Sequence, residues 1–340
     1  MKNKKGFEIQ FNWLFVMVAG AAILIFFAAV LIKQKNFAES SSDSDTIRTM
    51  SALIAGASSS AESSRPNEMP NLDIQLECNK ITSGKSSRIF EKLVLFSPSR
   101  IKDDQIITQS ISFNVPYRTT NLLMASSPKI RYIIIGEENP ARYAVNLLPP
   151  NINKEQYCQS CDENYDPAFI RNLNNYKVRF VVFDGDMPVI PMSLRPMPDN
   201  DVTAVQIIGD TKNGLVEFYE KNSDAWESLG KSSFIGSSIL GAVYSDSLAN
   251  YECSMQNVFS RLSLVSQIYL ARTKSLVASG DDEKQKTCNG IYSGSQAIIS
   301  KIIGASQNFN DVSTNIIADS ADELKIKNKR AQLESCVMVY

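Results

Sequence analysis

The chain has 340 residues, 44% of them hydrophobic, and a formal net charge of -1. This is enough apolar content for a real core in one large or two medium domains, without the basic surface that nucleic-acid recognition needs. It contains no histidine, which excludes Ser-His-Asp and Cys-His catalysis, histidine metal ligation and histidine pH sensing. The enzyme chemistries left open are carboxylate pairs, Ser-Lys pairs, thiol redox and a bound cofactor.

The first element is apolar. Leu14 to Ile32 carries neither charge nor proline over 19 residues, and at 1.5 Å per residue it spans about 28 Å, close to the hydrocarbon core of a bilayer. Secretory signals have shorter apolar regions and a small-residue cleavage site. Here Lys33-Gln34-Lys35-Asn36 follows directly, so a retained transmembrane helix over 14–32 is predicted. Trp13 and Phe11 sit where an aromatic belt would lie. Lys2, Lys4 and Lys5 precede the span, against Lys33 and Lys35 after it. All six cysteines lie beyond it. Both features place residues 1–13 in the cytoplasm and the rest of the chain outside the cell membrane. The lipid bilayer is then one partner.

Lys4-Lys5-Gly6-Phe7 followed by an apolar helix resembles a type IV prepilin leader. The resemblance covers about 30 residues and implies cleavage after Gly6 and packing of the helix into a filament core. Its most telling residue is a glutamate five places after the cut; here that place is Phe11, and the nearest glutamate is Glu8. KKGFEIQFNWLFVMVAG and the later YECSMQNVFSRL also resemble uncharacterised single-pass membrane proteins of small-genome archaea, which implies topology alone.

Residues 33–71 read as a stalk. Ser40-Ser41-Ser42, Ser58-Ser59-Ser60 and Ser63-Ser64 lower its hydrophobicity, and Pro66 and Pro70 close it. Within it Ile47, Met50, Leu53 and Ile54 recur at helical spacing. That spacing extends the helix to about residue 57, as a stem or as a short helix lying on the domain.

Residues 72–245 alternate strand-like runs with turn signals. The runs are Leu72–Leu76, Leu93–Phe96, Ile106–Val115, Ile130–Ile135, Val178–Phe183, Val202–Ile208 and Leu215–Tyr219. The continuous apolar triplets Ile133–Ile135 and Val181–Phe183 mark strands buried on both faces. Stretches near 117–125 and 165–174 read as helices. The fold class is therefore α/β or α+β with a mixed sheet.

Residues 246–340 predict a helical hairpin or three-helix unit. Tyr251, Met255, Val258, Leu262, Val265 and Tyr269 step alternately by four and three, a coiled-coil-like seam. Ser245-Asp246-Ser247 can cap its start, and Gly280-Asp281-Asp282 ends it. A second helix over about 285–305 carries Ile298, Ile299, Ile302 and Ile303. A third over about 309–334 carries Phe309, Val312, Ile316, Leu324 and Leu333. The run Lys325-Ile326-Lys327-Asn328-Lys329-Arg330 reads as a solvated face near a helix C-terminus, where cations are favoured. An anionic partner or a lipid surface is its sharper alternative.

The cysteines are Cys78, Cys158, Cys161, Cys253, Cys288 and Cys336. Cys288 opens the second helix, and Cys336 ends the third, which returns to the same end of the hairpin. A Cys288–Cys336 bridge meets the ~7 Å limit on Cα separation, and a loop of that size contributes roughly 4 kcal/mol. Cys78 and Cys253 would then tie the helical unit to the sheet domain. Cys158-Gln159-Ser160-Cys161 sits in an acidic segment, where carboxylates raise a thiol pKa, the wrong direction for a nucleophile. It reads first as a structural disulfide, with a redox pair or a metal site as alternatives.

Asp184-Gly185-Asp186 follows one strand and Gly136-Glu137-Glu138 another. Sites in open α/β sheets lie beyond strand carboxyl ends, so Asp184 and Asp186 are the candidates for a divalent cation. An Asp-Gly turn accounts for them as well. Ser126-Ser127-Pro128-Lys129 and Ser228-Leu229-Gly230-Lys231 match S-x-x-K without its companion motifs. No phosphate-binding glycine motif occurs, and no cofactor is expected. These observations predict a membrane-anchored structural or protein-binding component of the cell envelope, engaging a protein partner or itself. The alternatives are a pilin-like filament subunit and an envelope enzyme using the thiol pair or the acidic edge.

Overall fold

A computed structural model describes residues 5–59, 63–136, 139–157, 175–277 and 282–340, without the side chains of 5–12, 36–40, 57–59, 63, 70, 71 and 139. The chain opens with one unbroken helix, α1 (Lys5–Ser59), of 55 residues. Six strands follow: β1 (Ser63–Glu77), β2 (Lys80–Ser83), β3 (Ser86–Ile89), β4 (Leu95–Phe96), β5 (Arg100–Asn114) and β6 (Arg118–Ser126). They form the first sheet in the order β3-β2-β1-β5-β6-β4, antiparallel except for the β4–β6 pair.

A second sheet is built from β7 (Ile130–Ile135), β8 (Asn153–Tyr157), β9 (Lys177–Phe183), β10 (Val202–Gly209), β11 (Asn213–Asn222) and β12 (Ala225–Ile235). Its order is β12-β11-β10-β9-β7-β8. The pairs β8–β7, β7–β9 and β9–β10 are parallel; β10–β11 and β11–β12 are antiparallel. Helix α2 (Asn139–Leu147) makes the β7–β8 crossover, and α3 (Ile239–Tyr244), α4 (Leu248–Leu276), α5 (Glu283–Ala305) and α6 (Asp311–Leu333) complete the chain. The mixed-sheet α+β class is thus the observed one.

Three clusters of buried side chains set the layers. On β7, Ile130, Tyr132 and Ile134 face the largest cluster, which also holds Phe96, Met124, Tyr251, Met255, Leu262 and Ile299. Ile133 and Ile135 face the opposite way, onto a second cluster with Val178, Phe180, Ile190 and Leu194. A period of two with both faces covered produces a continuous apolar run. Helices α4–α6 share the largest cluster with both sheets, so one core crosses position 245. Ser247 caps α4 by accepting from the Asn250 amide, and Asn310 caps α6 through the Ser313 amide at 2.8 Å.

Two expectations are corrected. The stalk expected over 33–71 is instead structured: the helix expected to about residue 57 runs to Ser59, and strand β1 starts at Ser63. Ile47, Met50 and Ile54 are buried, which holds a serine-rich segment helical by tertiary packing rather than by propensity. Pro66 lies within β1 opposite Ile107, and the register of β1 shifts between Glu68 and Leu72, around Pro70, the irregularity a strand proline requires. Residues 118–126 are the strand β6, not a helix, paired antiparallel to β5. Leu122 to Ser126 are all buried, and this central position selects the extended form. The expected helix over 165–174 lies outside the described residues.

Candidate functional site

Trp13–Lys35 of α1 spans 23 residues, its most apolar 18 have a mean hydropathy of 2.9, and no described part of the protein buries them. It is the one described helix long and apolar enough to cross a membrane. Its large side chains project on every side, with Trp13, Leu24 and Phe26 all exposed. The second half of the same helix behaves differently. Asp43 Oδ2 accepts the Lys85 amide at 3.1 Å. Gly84 lies beside it with φ +50°, and a Cβ there would stand 2.1 Å from that carboxylate oxygen. Met50 and Ile54 then pack with Leu72, Ile74, Ile81 and Ile106 of the first sheet. Asp43 lies eight residue steps after Lys35, about 12 Å along the helix.

Two cysteine pairs staple opposite ends of the helical unit. Cys78, just past β1, pairs with Cys253 in the second turn of α4, with Cα atoms 5.9 Å apart. Cys288 of α5 pairs with Cys336 after α6, at 5.7 Å. Antiparallel succession puts the C-terminal ends of α4 and α6 and the start of α5 at one end, and the tail crosses it. The Arg272 guanidinium donates to Met338 O, the Tyr292 hydroxyl to Val337 O, and Asn328 Oδ1 accepts the Val339 amide at 2.7 Å. Cys158 and Cys161 lie outside the described residues.

The acidic edge is partly assembled. Ile135 pairs with Val182 in the parallel β7–β9 ladder, so Gly136 and Asp184 emerge at the same carboxyl end of the sheet. Asp184 takes φ +46°, and its Oδ1 accepts the Gly209 amide at 3.2 Å. It therefore works as a turn residue that joins the ends of β9 and β10. Asp186 is exposed. Glu137 and Glu138 lie outside the described residues. Among the described residues no three His, Cys, Asp or Glu side chains group to hold a metal ion.

Neither S-x-x-K match joins its serine to its lysine. Ser126 Oγ is hydrogen-bonded to Tyr132 at 2.8 Å, while Lys129 pairs with Asp103 at 2.8 Å. Burial would raise the Asp103 carboxyl, but hydrogen bonds from Lys129 and Ser127 outweigh it and hold it low. Ser228 Oγ donates to Glu217, and Lys231 pairs with the same carboxylate at 3.2 Å.

Buried charge that sequence reasoning missed lies between the sheets. Lys177 pairs with Asp246, both buried, and Asp246 also accepts the Ser99 amide at 2.7 Å. Arg179 is fully buried, donates to Val243 O, Ala242 O and Thr203 Oγ1, and stacks 5.4 Å from the Phe218 ring. Burial pushes its pKa down to about 10. The carbonyls at the end of α3 take the place of a carboxylate, as a helix C-terminus favours a cation. The available signal was Lys177 and Arg179 alternating into an otherwise apolar strand. Such charges must find partners inside the fold.

No protein-family model, curated protein or solved structure matches this chain.

Proposed function

We propose that this chain is a single-pass membrane protein whose α+β domain stands outside the cytoplasm as a structural or partner-binding component of the cell envelope. The observation that carries it is the first half of α1, apolar on every side and uncovered by the protein, in one helix with a second half packed on the first sheet. Exposing that surface to water is unfavourable, whereas a bilayer accommodates it. Two disulfides beyond the span favour an oxidising compartment. The resemblance of residues 4–20 and 251–262 to archaeal single-pass proteins supports the same topology. Alkaline extraction of membranes, followed by protease treatment of intact cells, tests it. The chain should stay in the pellet, and its domain should be accessible from outside. Release into the supernatant, or protection of the domain, would overturn the anchor or its orientation respectively.

A second reading is a pilin-like filament subunit. A 55-residue helix, half exposed and half lying on an antiparallel sheet, favours it. Intact mass of the native protein separates the two: a chain beginning at Met1 supports the anchor, and one beginning at Phe7 supports the filament.

A further inference from the structure

The basic run at the end of α6 borders a groove. One recess of about 320 Å³ lies between α6, the β5–β6 turn and the end of β12, with Val115, Pro116, Ile235, Ala318 and Ala321 among its walls. A second, of about 510 Å³, continues along α6 past Lys325 and Lys329 to Gln332. Both are bounded by Asp322, Lys325 and Tyr340, so they make one groove. From Ala318 to Gln332 it is about 21 Å long. Small residues create its apolar end. Ala318 and Ala321 sit one turn apart on α6, and Gly236 turns away at φ +54° with Val115 Cγ2 at 3.2 Å from where its Cβ would stand.

The charges along the groove are unequally matched. Lys212 is paired with Asp322 at 2.7 Å and lies 3.9 Å from Asp319, so these charges largely cancel. None of the ion pairs among the described residues uses Lys325 or Lys329. Both line the groove without being buried, and exposed Ile326 lies between them on the groove wall. An open groove with an apolar pocket at one end and cations along the other matches an extended acidic segment with an apolar anchor.

We infer that this groove binds an acidic peptide segment of a protein partner. One bulky apolar side chain enters the pocket at Ala318 and Ala321, and its neighbouring carboxylates meet Lys325 and Lys329. The inference rests on the reading of the domain as a partner-binding module and is independent of the anchor. The test uses the full chain in phosphatidylcholine nanodiscs and fluorescence anisotropy of three labelled peptides. They carry leucine flanked by glutamates, leucine flanked by lysines, and serine flanked by glutamates.

The first peptide should bind at least about tenfold tighter than either control, a difference of 1.4 kcal/mol. Lys325→Glu with Lys329→Glu should remove that advantage and favour the lysine-flanked peptide. Neither site is buried, so the fold is retained. Ala321→Phe should bring the leucine peptide down to the serine peptide without altering the charge preference. Equal binding of all three peptides, or indifference to the charge reversal, would overturn the inference. So would co-sedimentation with phosphatidylglycerol vesicles that depends on Lys325 and Lys329 without peptide discrimination. Loss of membrane retention in the unmodified chain would defeat the anchor and leave the groove standing.

Discussion

Residues 13–35 and residues 43–54 belong to one unbroken helix, yet they are built on opposite rules. The first segment is apolar on all sides up to Ile32, and none of the described residues covers it. The second is largely polar outside a stripe of Ile47, Met50, Leu53 and Ile54, of which Leu53 is half-buried and the others are buried. They differ both in how much apolar surface they carry and in how it is distributed around the axis. An all-round apolar helix needs an apolar surrounding, whereas a striped one needs a single partner surface. The first sheet is that surface. The helix therefore couples two environments rigidly, without the loose joint that its serine content suggests.

Changes on either side of Asp43 should separate the two halves. The largest effect is expected from Leu24→Arg with Phe27→Arg. Each arginine near the centre of a span costs about 3 kcal/mol, roughly 6 together. The chain should move from the membrane pellet to the supernatant on fractionation, while the thermal melt of the domain stays unchanged. A shift in the melt would mean that residues 13–35 also serve the fold. Met50→Ala is the reciprocal change. Truncating a buried methionine costs about 2–5 kcal/mol, so calorimetry should show a lowered transition with membrane retention unaltered. Equal stability would show that α1 does not hold to the first sheet in solution.

The apolar half was legible because a water-soluble helix seldom goes 19 residues without a charge. Strands β7 and β9 were legible for a similar reason. The packed half was only half legible. Its stripe has four large residues in a serine-rich segment, and Pro66 and Pro70 disguise the strand that follows. Strand β6 failed on period: Leu122 to Ala125 is apolar without alternation, and length did not decide between helix and strand. The β-branched pair Thr119 and Thr120 was the residue-level sign of an extended segment. On α6 the larger side chains misled. Val312, Ile316 and Leu333 are exposed, while Ile317, Ala318, Leu324 and Ala331 are buried. Alanines carry little hydrophobic signal, and that face became visible only once α5 and β12 were seen against it. The groove is made by the same small residues, so no motif announces it.

Smaller changes test the joint between the halves. Gly84→Ala places a methyl against Asp43 in a left-handed backbone, which costs about 1–2 kcal/mol before any contact. Asp43→Ala removes the acceptor of the Lys85 amide, at about 1–2 kcal/mol. The double variant relieves the overlap and should be less destabilised than the sum of the singles by roughly 0.5 kcal/mol or more in a double-mutant cycle. Additivity would mean that the contact between helix and hairpin does not form.

The smallest effect concerns the recess beside that joint, which Asp43, Asp73 and Arg100 line together. The Arg100 guanidinium is 2.7 Å from Asp73, and this hydrogen bond holds the Asp73 carboxyl below its ordinary value. A depressed folded-state pKa stabilises the fold above the unfolded value of about 3.9 and loses that contribution as pH falls through the folded value. Both side chains are about half exposed, at 53% and 46%, so solvent screening limits the pair to at most about 1 kcal/mol. Asp73→Asn should therefore be slightly less stable than the unmodified chain near pH 6. The two denaturation curves should converge as pH drops below about 4, and added salt should narrow the gap at pH 6. A gap that persisted in acid would assign the loss to packing of the amide instead of to charge.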